Sequence, residues 1–431
     1  MQNAGTFLLY GRAPQTEILL QIGKIRQAAE EELFDREKLA AALCGQVRAL
    51  LQLAIQEGFT KNLWQCYLAY LLAMDENPFS LACEKMGAGN GSLDRLAMHD
   101  LRLFREYFHY DFADLREKLG AAYLAELLSY EAPAHARAGS RKTEVLRERL
   151  AQAADDEAFF EAVTAFYREY GVGMLGLNKS FRVVLDANGK AALCPAQSAD
   201  DVALDDLIGY EEQKAQLLAN TRAFVQGKRA NNVLLYGDSG TGKSTSIKAV
   251  VNEFYGDGLR MVEIYKHQFR ALSEVIALLK DRNYKFLIFM DDLSFEDFEI
   301  EYKYLKAVIE GGAETKPDNV LIYATSNRRH LIKETWKDRD DMERTDDEIH
   351  RSDTVEEKLS LVHRFGITIR YSKPSKDDFY KIVIGLAKRN GILLDEATLR
   401  AEANRWEMRH GGVSGRTAQQ FIDYLLSAEH S

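Results

Sequence analysis

Nine residues, GDSGTGKST from Gly237 to Thr245, dictate more of this chain's architecture than any other segment. They fit the pattern G-x-x-x-x-G-K-[ST], follow the apolar run NNVLLY and precede an amphipathic helical stretch, the strand-to-helix setting that such a loop requires. A loop binds phosphate when its amides converge on the anion and a helix amino terminus adds a favourable dipole. Gly237, Gly240 and Gly242 permit that close approach, with Asp238, Ser239, Thr241 and Thr245 completing the cradle. In this reading Lys243 neutralises the β- and γ-phosphates and the Ser244 hydroxyl binds Mg²⁺, which makes a nucleotide polyphosphate with Mg²⁺ the expected ligand.

A polyphosphate site of this kind needs a second anchor, an acid at the end of a neighbouring buried strand. KFLIFMDD supplies one, placing Asp291 on the metal and Asp292 where it can orient or deprotonate an attacking water. Glu296 is a secondary candidate for that water. Apolar runs at Asn232–Tyr236, Leu259–Ile264, Lys285–Met290, Val320–Ala324 and Ile367–Tyr371 alternate with helical segments. Such alternation predicts parallel strands joined by right-handed crossovers, an α/β fold with a three-layer α/β/α sheet.

The rest of the chain reads differently. With 431 residues it has room for roughly three domains, and 46% apolar and 28% charged residues exclude disorder as the whole answer. Up to about residue 175 the spacing is helical, with stripes at Leu39, Leu43, Val47, Leu50 and Leu51 and at Leu115, Leu119, Tyr123 and Leu127. Between Leu93 and Tyr110, Arg95, Arg102 and Arg105 are interleaved with Phe104, Tyr107, Phe108 and Tyr110. A packed amphipathic helix accounts for this more simply than a base-stacking surface. FRVVL and KAALC around Asn188-Gly189 predict a β-hairpin. Beyond Pro374, Ser375 caps the first of three further helices. The expected division is a helical domain over 1–178, a hairpin and linker over 179–204, a nucleotide-binding domain over 205–372 and a helical lid over 373–431. Lys337 to Lys358, with ten acidic and five basic side chains, predict an exposed loop.

The net charge of −10 means that any nucleic-acid contact would need a local basic patch. Cys44, Cys66, Cys83 and Cys194 have no metal-site spacing, which points to a reducing, cytoplasmic setting. Leu63 to Met74, taken as the most apolar stretch, is too short to span a bilayer, so no membrane partner is expected.

Taken together, these motifs resemble the AAA+ ATPases over about Asp205 to Phe421, and specifically an uncharacterised predicted AAA+ family. The resemblance implies that Ile208, Gly209 and Tyr210 in LDDLIGYEEQK flank the adenine, and that Asn327, ending NVLIYATSN, positions the hydrolytic water. It also implies that Arg364 acts as an arginine finger toward a neighbouring subunit, and that Arg416 in SGRTAQQFI is a sensing arginine of the lid. ENPFSLACEKMG and LAMHDLRLF resemble that family's own amino-terminal region and imply no activity.

Two departures stand out. The superfamily's usual Asp-Glu is here Asp291-Asp292, one methylene shorter, and EIYKHQF after the second strand lacks the aromatic-apolar-glycine loop of ring unfoldases. The expected function is therefore a Mg-dependent, oligomeric ATPase that remodels or loads a protein or nucleic-acid client. The alternative is a nucleotide-dependent switch with little or no hydrolysis. Transfer to a small metabolite is disfavoured by the sensor residues.

Overall fold

The computed structural model describes residues 7–11, 14–31, 33–89, 91–133, 139–196, 202–295, 301–310, 317–327, 361–362 and 364–428. Internal contacts divide the chain between Asn178 and Lys179 into two units. Glu296 and the charged segment Lys337 to Lys358 lie outside the described residues.

Helices build the amino-terminal unit: α1 (Glu17–Ala28), α2 (Arg36–Glu57), α3 (Leu63–Met74), α4 (Pro78–Met86), α5 (Ser92–Phe108), α6 (Ala113–Leu119), α7 (Ala125–Leu128), α8 (Arg141–Gln152), α9 (Asp156–Tyr170) and α10 (Gly173–Leu177). Asp35, Asn62, Asn77 and Asp155 start four of them by accepting first-turn N–H groups that would otherwise lack partners. Trp64, Tyr67, Phe79, Phe104, Phe159 and Tyr167 fill the core, and the Trp64 indole N–H donates to the Tyr107 carbonyl at 2.7 Å. On α5 the rings of Phe104, Tyr107 and Phe108 turn inward, while Arg102 and Arg105 pair with Asp156 of α9. Those rings are committed to packing and offer no stacking surface.

Two sequence expectations change here. Leu115, Leu119, Tyr123 and Leu127 do not share one helix. Gly120, at φ 70°, ends α6, and a 3₁₀ turn leads into α7, leaving Tyr123 41% exposed. The second concerns length: α3 remains apolar and too short to span a bilayer, but α2 is long and apolar enough by length and composition, with a mean hydropathy of 1.3 over an 18-residue stretch. In the unit α2 turns Leu43, Leu50 and Ala54 into the core.

The carboxy-terminal unit carries a sheet of β1 (Ser180–Leu185), β2 (Ala191–Pro195), β3 (Val233–Gly237), β4 (Leu259–Glu263), β5 (Lys285–Met290), β6 (Val320–Ser326) and β7 (Ile367–Tyr371). The order is β2-β1-β4-β5-β6-β3-β7, and every pairing is parallel except β1 with β2. All five strands expected from the apolar runs are present. The hairpin is more than a linker: β1 extends the sheet by pairing with β4 from Ser180↔Met261 to Arg182↔Glu263. Its inward residues Phe181 and Val183 are buried, and Gln268 and Glu274 bind its backbone at Val183 and Ala191.

Among the described residues, four helices accompany the sheet: α11 (Glu211–Val225), α12 (Lys243–Phe254), α13 (Leu272–Leu279) and α14 (Glu301–Glu310). Leu217 and Phe224 of α11 and Ile247, Val250 and Phe254 of α12 pack on Val233, Leu235, Leu287, Tyr323 and Ile369. The alternate strand residues Leu234, Ile288 and Ile322 are equally buried, as a sheet covered on both faces requires. The buried Tyr323 hydroxyl meets Asn220 and Thr221 of α11 at 2.9 and 2.8 Å, which fixes that helix against the sheet. Three helices, α15 (Lys376–Arg389), α16 (Glu396–Arg409) and α17 (Gly415–Ala428), close the chain around their own core of Phe379, Val383, Leu399, Phe421 and Ile422. The Ser375 hydroxyl caps α15 by accepting from the Asp378 N–H at 3.1 Å.

β3 lies between β6 and β7, yet the chain leaves it for β4 on the far side of β5. Such a reversal of strand order opens a crevice at the carboxyl ends of the strands. The phosphate loop stands there.

Candidate functional site

The loop's shape follows from its glycines. Gly237 has φ 135°, and a Cβ on it would collide with the Tyr371 carbonyl of β7. Gly240, at φ 74°, would bring a Cβ to 3.1 Å from the Ser414 hydroxyl and 3.2 Å from Arg416 Cβ. At the amino terminus of α12, Gly242 sits in left-handed conformation with φ 85°. The first-turn amides of α12 are thereby presented at the mouth of the crevice, a site for anions.

Lys243 is nearly buried and folds back over the loop. Its ammonium donates to the carbonyls of Gly237 and Asp238 at 3.1 and 2.6 Å and to Asn327 Oδ1 at 3.0 Å. Burial pushes its pKa below the usual lysine value of 10.5; Asp292, Asp238 and Asp291 oppose the shift and the Arg416 guanidinium adds to it. The ammonium is thus poorly hydrated and suited to a phosphate.

Parallel register brings the remaining groups together. β3 pairs with β6 up to Tyr236↔Ser326, so Asn327 arrives beside the loop's first glycine. β5 pairs with β6 up to Met290↔Ala324, so Asp291 emerges opposite Thr325. Asp291 Oδ1 accepts from the Ser244 hydroxyl at 2.5 Å and from the Thr325 hydroxyl at 2.6 Å. Asp292 takes φ 49°, its N–H donates to Thr325 Oγ1 at 2.9 Å, and its carboxylate accepts from Asn327 Nδ2 at 2.7 Å. Lys243, Asn327 and Asp292 form one continuous chain, with Ser244 and Asp291 beside it.

The crevice is a cleft of about 860 Å³. Of the expected residues, Ile208, Tyr210, Ser239, Gly240, Thr241, Gly242, Lys243, Ser244, Thr245, Asp291, Asp292, Asn327 and Arg416 line it. Gly209, Gly237 and Asp238 do not. Asp238 instead turns its carboxylate to the Lys373 N–H at 2.9 Å, at the start of the lid, and its carbonyl also receives the Thr241 hydroxyl. Tyr210 donates its hydroxyl to the Ser372 carbonyl at 2.8 Å and lies 5.0 Å from the Tyr371 ring. From the lid, Arg416 enters in the first turn of α17, whose cap is Ser414 accepting from Thr417 N–H, and its own N–H reaches the Gly240 carbonyl at 3.3 Å. Arg364 is absent from the lining: it precedes β7, at the end of that strand away from the loop.

Several lining residues escape a reading of the sequence. Thr325 has no motif of its own. Ile382 and Leu386 carry helical spacing that reads as lid core, yet both face the cleft. Arg389 and Asp206 form an ion pair at 2.7 Å that closes the same side; only the contact itself reveals it.

The donor set suits a small hard cation. A serine hydroxyl and one carboxylate beside a phosphate cradle match the sparse protein ligation of Mg²⁺, which keeps waters and phosphate oxygens for its other positions. Among the described residues no cluster of three or more His, Cys, Asp or Glu could hold a metal by itself.

Placing the loop strand between β6 and β7, with the acid-tipped β5 one strand farther out and a helical lid touching the loop, is the arrangement of AAA+ nucleotide-binding proteins. The helical amino-terminal unit precedes that core in the sequence. More narrowly, the chain belongs to the family described as protein of unknown function (DUF815), which matches residues 178–429. Solved structures that it resembles include a variant of RuvB from Thermotoga maritima, at 15% identity and TM-score 0.34 over 52% of this chain and 72% of that one. Another is the T. maritima RuvB titled Holliday junction branch migration motor, at 14% identity and TM-score 0.31 over the same shares. Comparison with curated proteins gives no match.

Proposed function

We propose that this protein binds ATP with Mg²⁺, hydrolyses it as an oligomer, and couples turnover to remodelling or loading of a protein or nucleic-acid client in the cytoplasm. The observation that carries this reading is the hydrogen-bonded chain from Lys243 through Asn327 to Asp292, with Ser244 and Asp291 alongside. It unites a phosphate-binding cation, a metal-binding pair and a water-orienting pair in one cleft. Such a site catalyses by positioning and charge rather than by covalent chemistry.

In this mechanism Lys243 and the loop amides hold the β- and γ-phosphates, and Arg416 draws the lid onto the nucleotide. Ser244 and Asp291 would hold Mg²⁺, which supplies charge neutralisation at the phosphates. Asp292 accepts the proton of the attacking water, and Asn327, already bonded to that carboxylate, fixes its orientation. Arg364, which lies outside its own subunit's cleft, completes a neighbour's site in trans.

A second reading, a nucleotide-dependent switch, is favoured by the short Asp292 side chain and by its engagement with Asn327. Calorimetric titration of Mg·ATP together with phosphate release by wild type, Lys243→Ala and Asp292→Ala separates the readings. The hydrolase reading expects turnover in wild type alone, with Asp292→Ala retaining ATP. Binding without turnover selects the switch, and no heat with Mg·ATP overturns both.

A further inference from the structure

The geometry points to Thr325 as the residue that positions both acids of the site, and this inference rests on the Mg·ATP reading above. Thr325 is 2% exposed, and its place in β6, paired with Leu235 of β3 and next beyond the Met290↔Ala324 pair with β5, puts its hydroxyl under the Asp291-Asp292 turn. A hydroxyl has one proton to give and lone pairs to receive. Thr325 donates that proton to Asp291 Oδ1 at 2.6 Å and receives the Asp292 N–H at 2.9 Å.

The two bonds do different things. The first fixes the Asp291 carboxylate against the oxygen that also receives the Ser244 hydroxyl at 2.5 Å, so one carboxylate oxygen is held from the β6 side and from the α12 side together. The second holds the backbone of Asp292 at φ 49°, a conformation disfavoured for any residue with a Cβ. Around it, the Leu293 N–H donates to the Thr325 carbonyl at 2.7 Å and the Ser326 hydroxyl to the Leu293 carbonyl at 2.7 Å, clamping the turn to β6. Thr325 touches neither phosphate nor water in this account. It acts through its neighbours, as groups behind metal ligands do.

Valine matches threonine in shape but can neither give nor receive these bonds; serine retains both. The test titrates ATP calorimetrically into full-length protein at stepped Mg²⁺ concentrations and again in chelator, for wild type, Thr325→Val, Thr325→Ser and Thr325→Ala. Thr325→Val is expected to raise the Mg²⁺ concentration for half-maximal enhancement of ATP binding by about 10- to 100-fold while binding in chelator changes by less than about twofold. Thr325→Ser is expected to bring the Mg²⁺ midpoint back to within about threefold of wild type. An unchanged midpoint in Thr325→Val overturns the inference, as does an equal loss of binding in chelator. Should Thr325→Val fail to fold by circular dichroism, the same comparison between Thr325→Ala and Thr325→Ser decides. Failure of the underlying reading is seen separately, as wild-type protein whose ATP binding does not respond to Mg²⁺, and that result removes this inference too.

Discussion

Lys243 donates to the side-chain oxygen of Asn327 at 3.0 Å, across 84 residues of sequence, and the amide of the same Asn327 donates to Asp292 at 2.7 Å. An asparagine amide orients its two ends oppositely, so a cation on one side and a carboxylate on the other fix its rotamer without ambiguity. A change at Lys243 or Asp292 is therefore felt at Asn327, and effects of paired substitutions among these residues will not add.

Asp292 combines the side chain proposed to accept the water proton with an unfavourable backbone, and substitutions can separate the two. Asp292→Ala and Asp292→Gly should both lose phosphate release by about 10²- to 10⁴-fold, the usual contribution of a positioned proton acceptor. Because φ is 49° at this position, the glycine variant should nevertheless be the more stable by about 1 kcal/mol, the reverse of the order in ordinary helices and strands. Chemical denaturation of the two variants checks it.

The lowered pKa of Lys243 has a sign that can be measured. If phosphate binds the ammonium as proposed, ATP affinity should be flat with pH up to the value of the free protein, which lies below 10.5, and fall above it. Calorimetry from about pH 8 upward should show that decline in wild type, and none in whatever affinity Lys243→Arg retains, since arginine stays charged throughout. For folding the sign is opposite to that of a salt-bridged lysine. Burial makes the folded, unliganded protein hold this proton less tightly than the unfolded chain, a cost present at low pH and relieved as pH rises through the folded value.

If Arg364 completes a neighbour's site, inactive variants should complement one another. Lys243→Ala loses its own cleft but keeps a good Arg364, and Arg364→Ala is the converse. Mixed oligomers contain some sites with both groups intact, so mixing the two proteins should restore measurable phosphate release that neither shows alone. Strict additivity of two inactive preparations would place Arg364 in a structural role.

In the amino-terminal unit, Asp100 is fully buried on α5, where its carboxylate accepts the backbone N–H groups of Leu8, Leu9 and Tyr10 at 2.8 to 3.1 Å. Removing it strands three amides, and hydrogen bonds to a charged group contribute about 1.5–3 kcal/mol each when lost singly. Asp100→Ala should destabilise the unit by about 3 kcal/mol or more. It should also open the segment around Leu8 to limited proteolysis while leaving ATP binding by the other unit intact.

The candidate site was unevenly legible. Lys243 and Ser244 belong to a contiguous loop and Asp291 ends an apolar strand, so local pattern located them, whereas Asn327, though it too ends such a strand, was marked only by the family resemblance. Thr325 sits inside such a strand and looks like any β-branched strand residue. Its role depends on which residue of β5 stands opposite, and a one-residue slip in register would turn its hydroxyl to the other face. Arg389 and Asp206 are separated by most of the nucleotide-binding unit, and neither charge distinguishes itself from its solvated neighbours. In the helical unit the periodicity of Leu115 to Leu127 concealed a break because Leu115, Leu119 and Leu127 are buried on either side of the turn, while Gly120 changes the path and leaves Tyr123 outward.

By itself, then, the amino-acid order determined the local conformations: where glycines must take positive φ, where apolar alternation makes strands, where Ser375 and Asn77 start helices. These depend on steric and hydrogen-bonding preferences of neighbouring residues, which tertiary context here leaves in force. Only the assembled sheet decided that the hairpin joins it at β4, that Asp238 faces the lid segment rather than the cleft, and that one threonine hydroxyl serves two aspartates. Those outcomes rest on register and packing between segments far apart in the chain, and no local preference encodes which distant partner arrives.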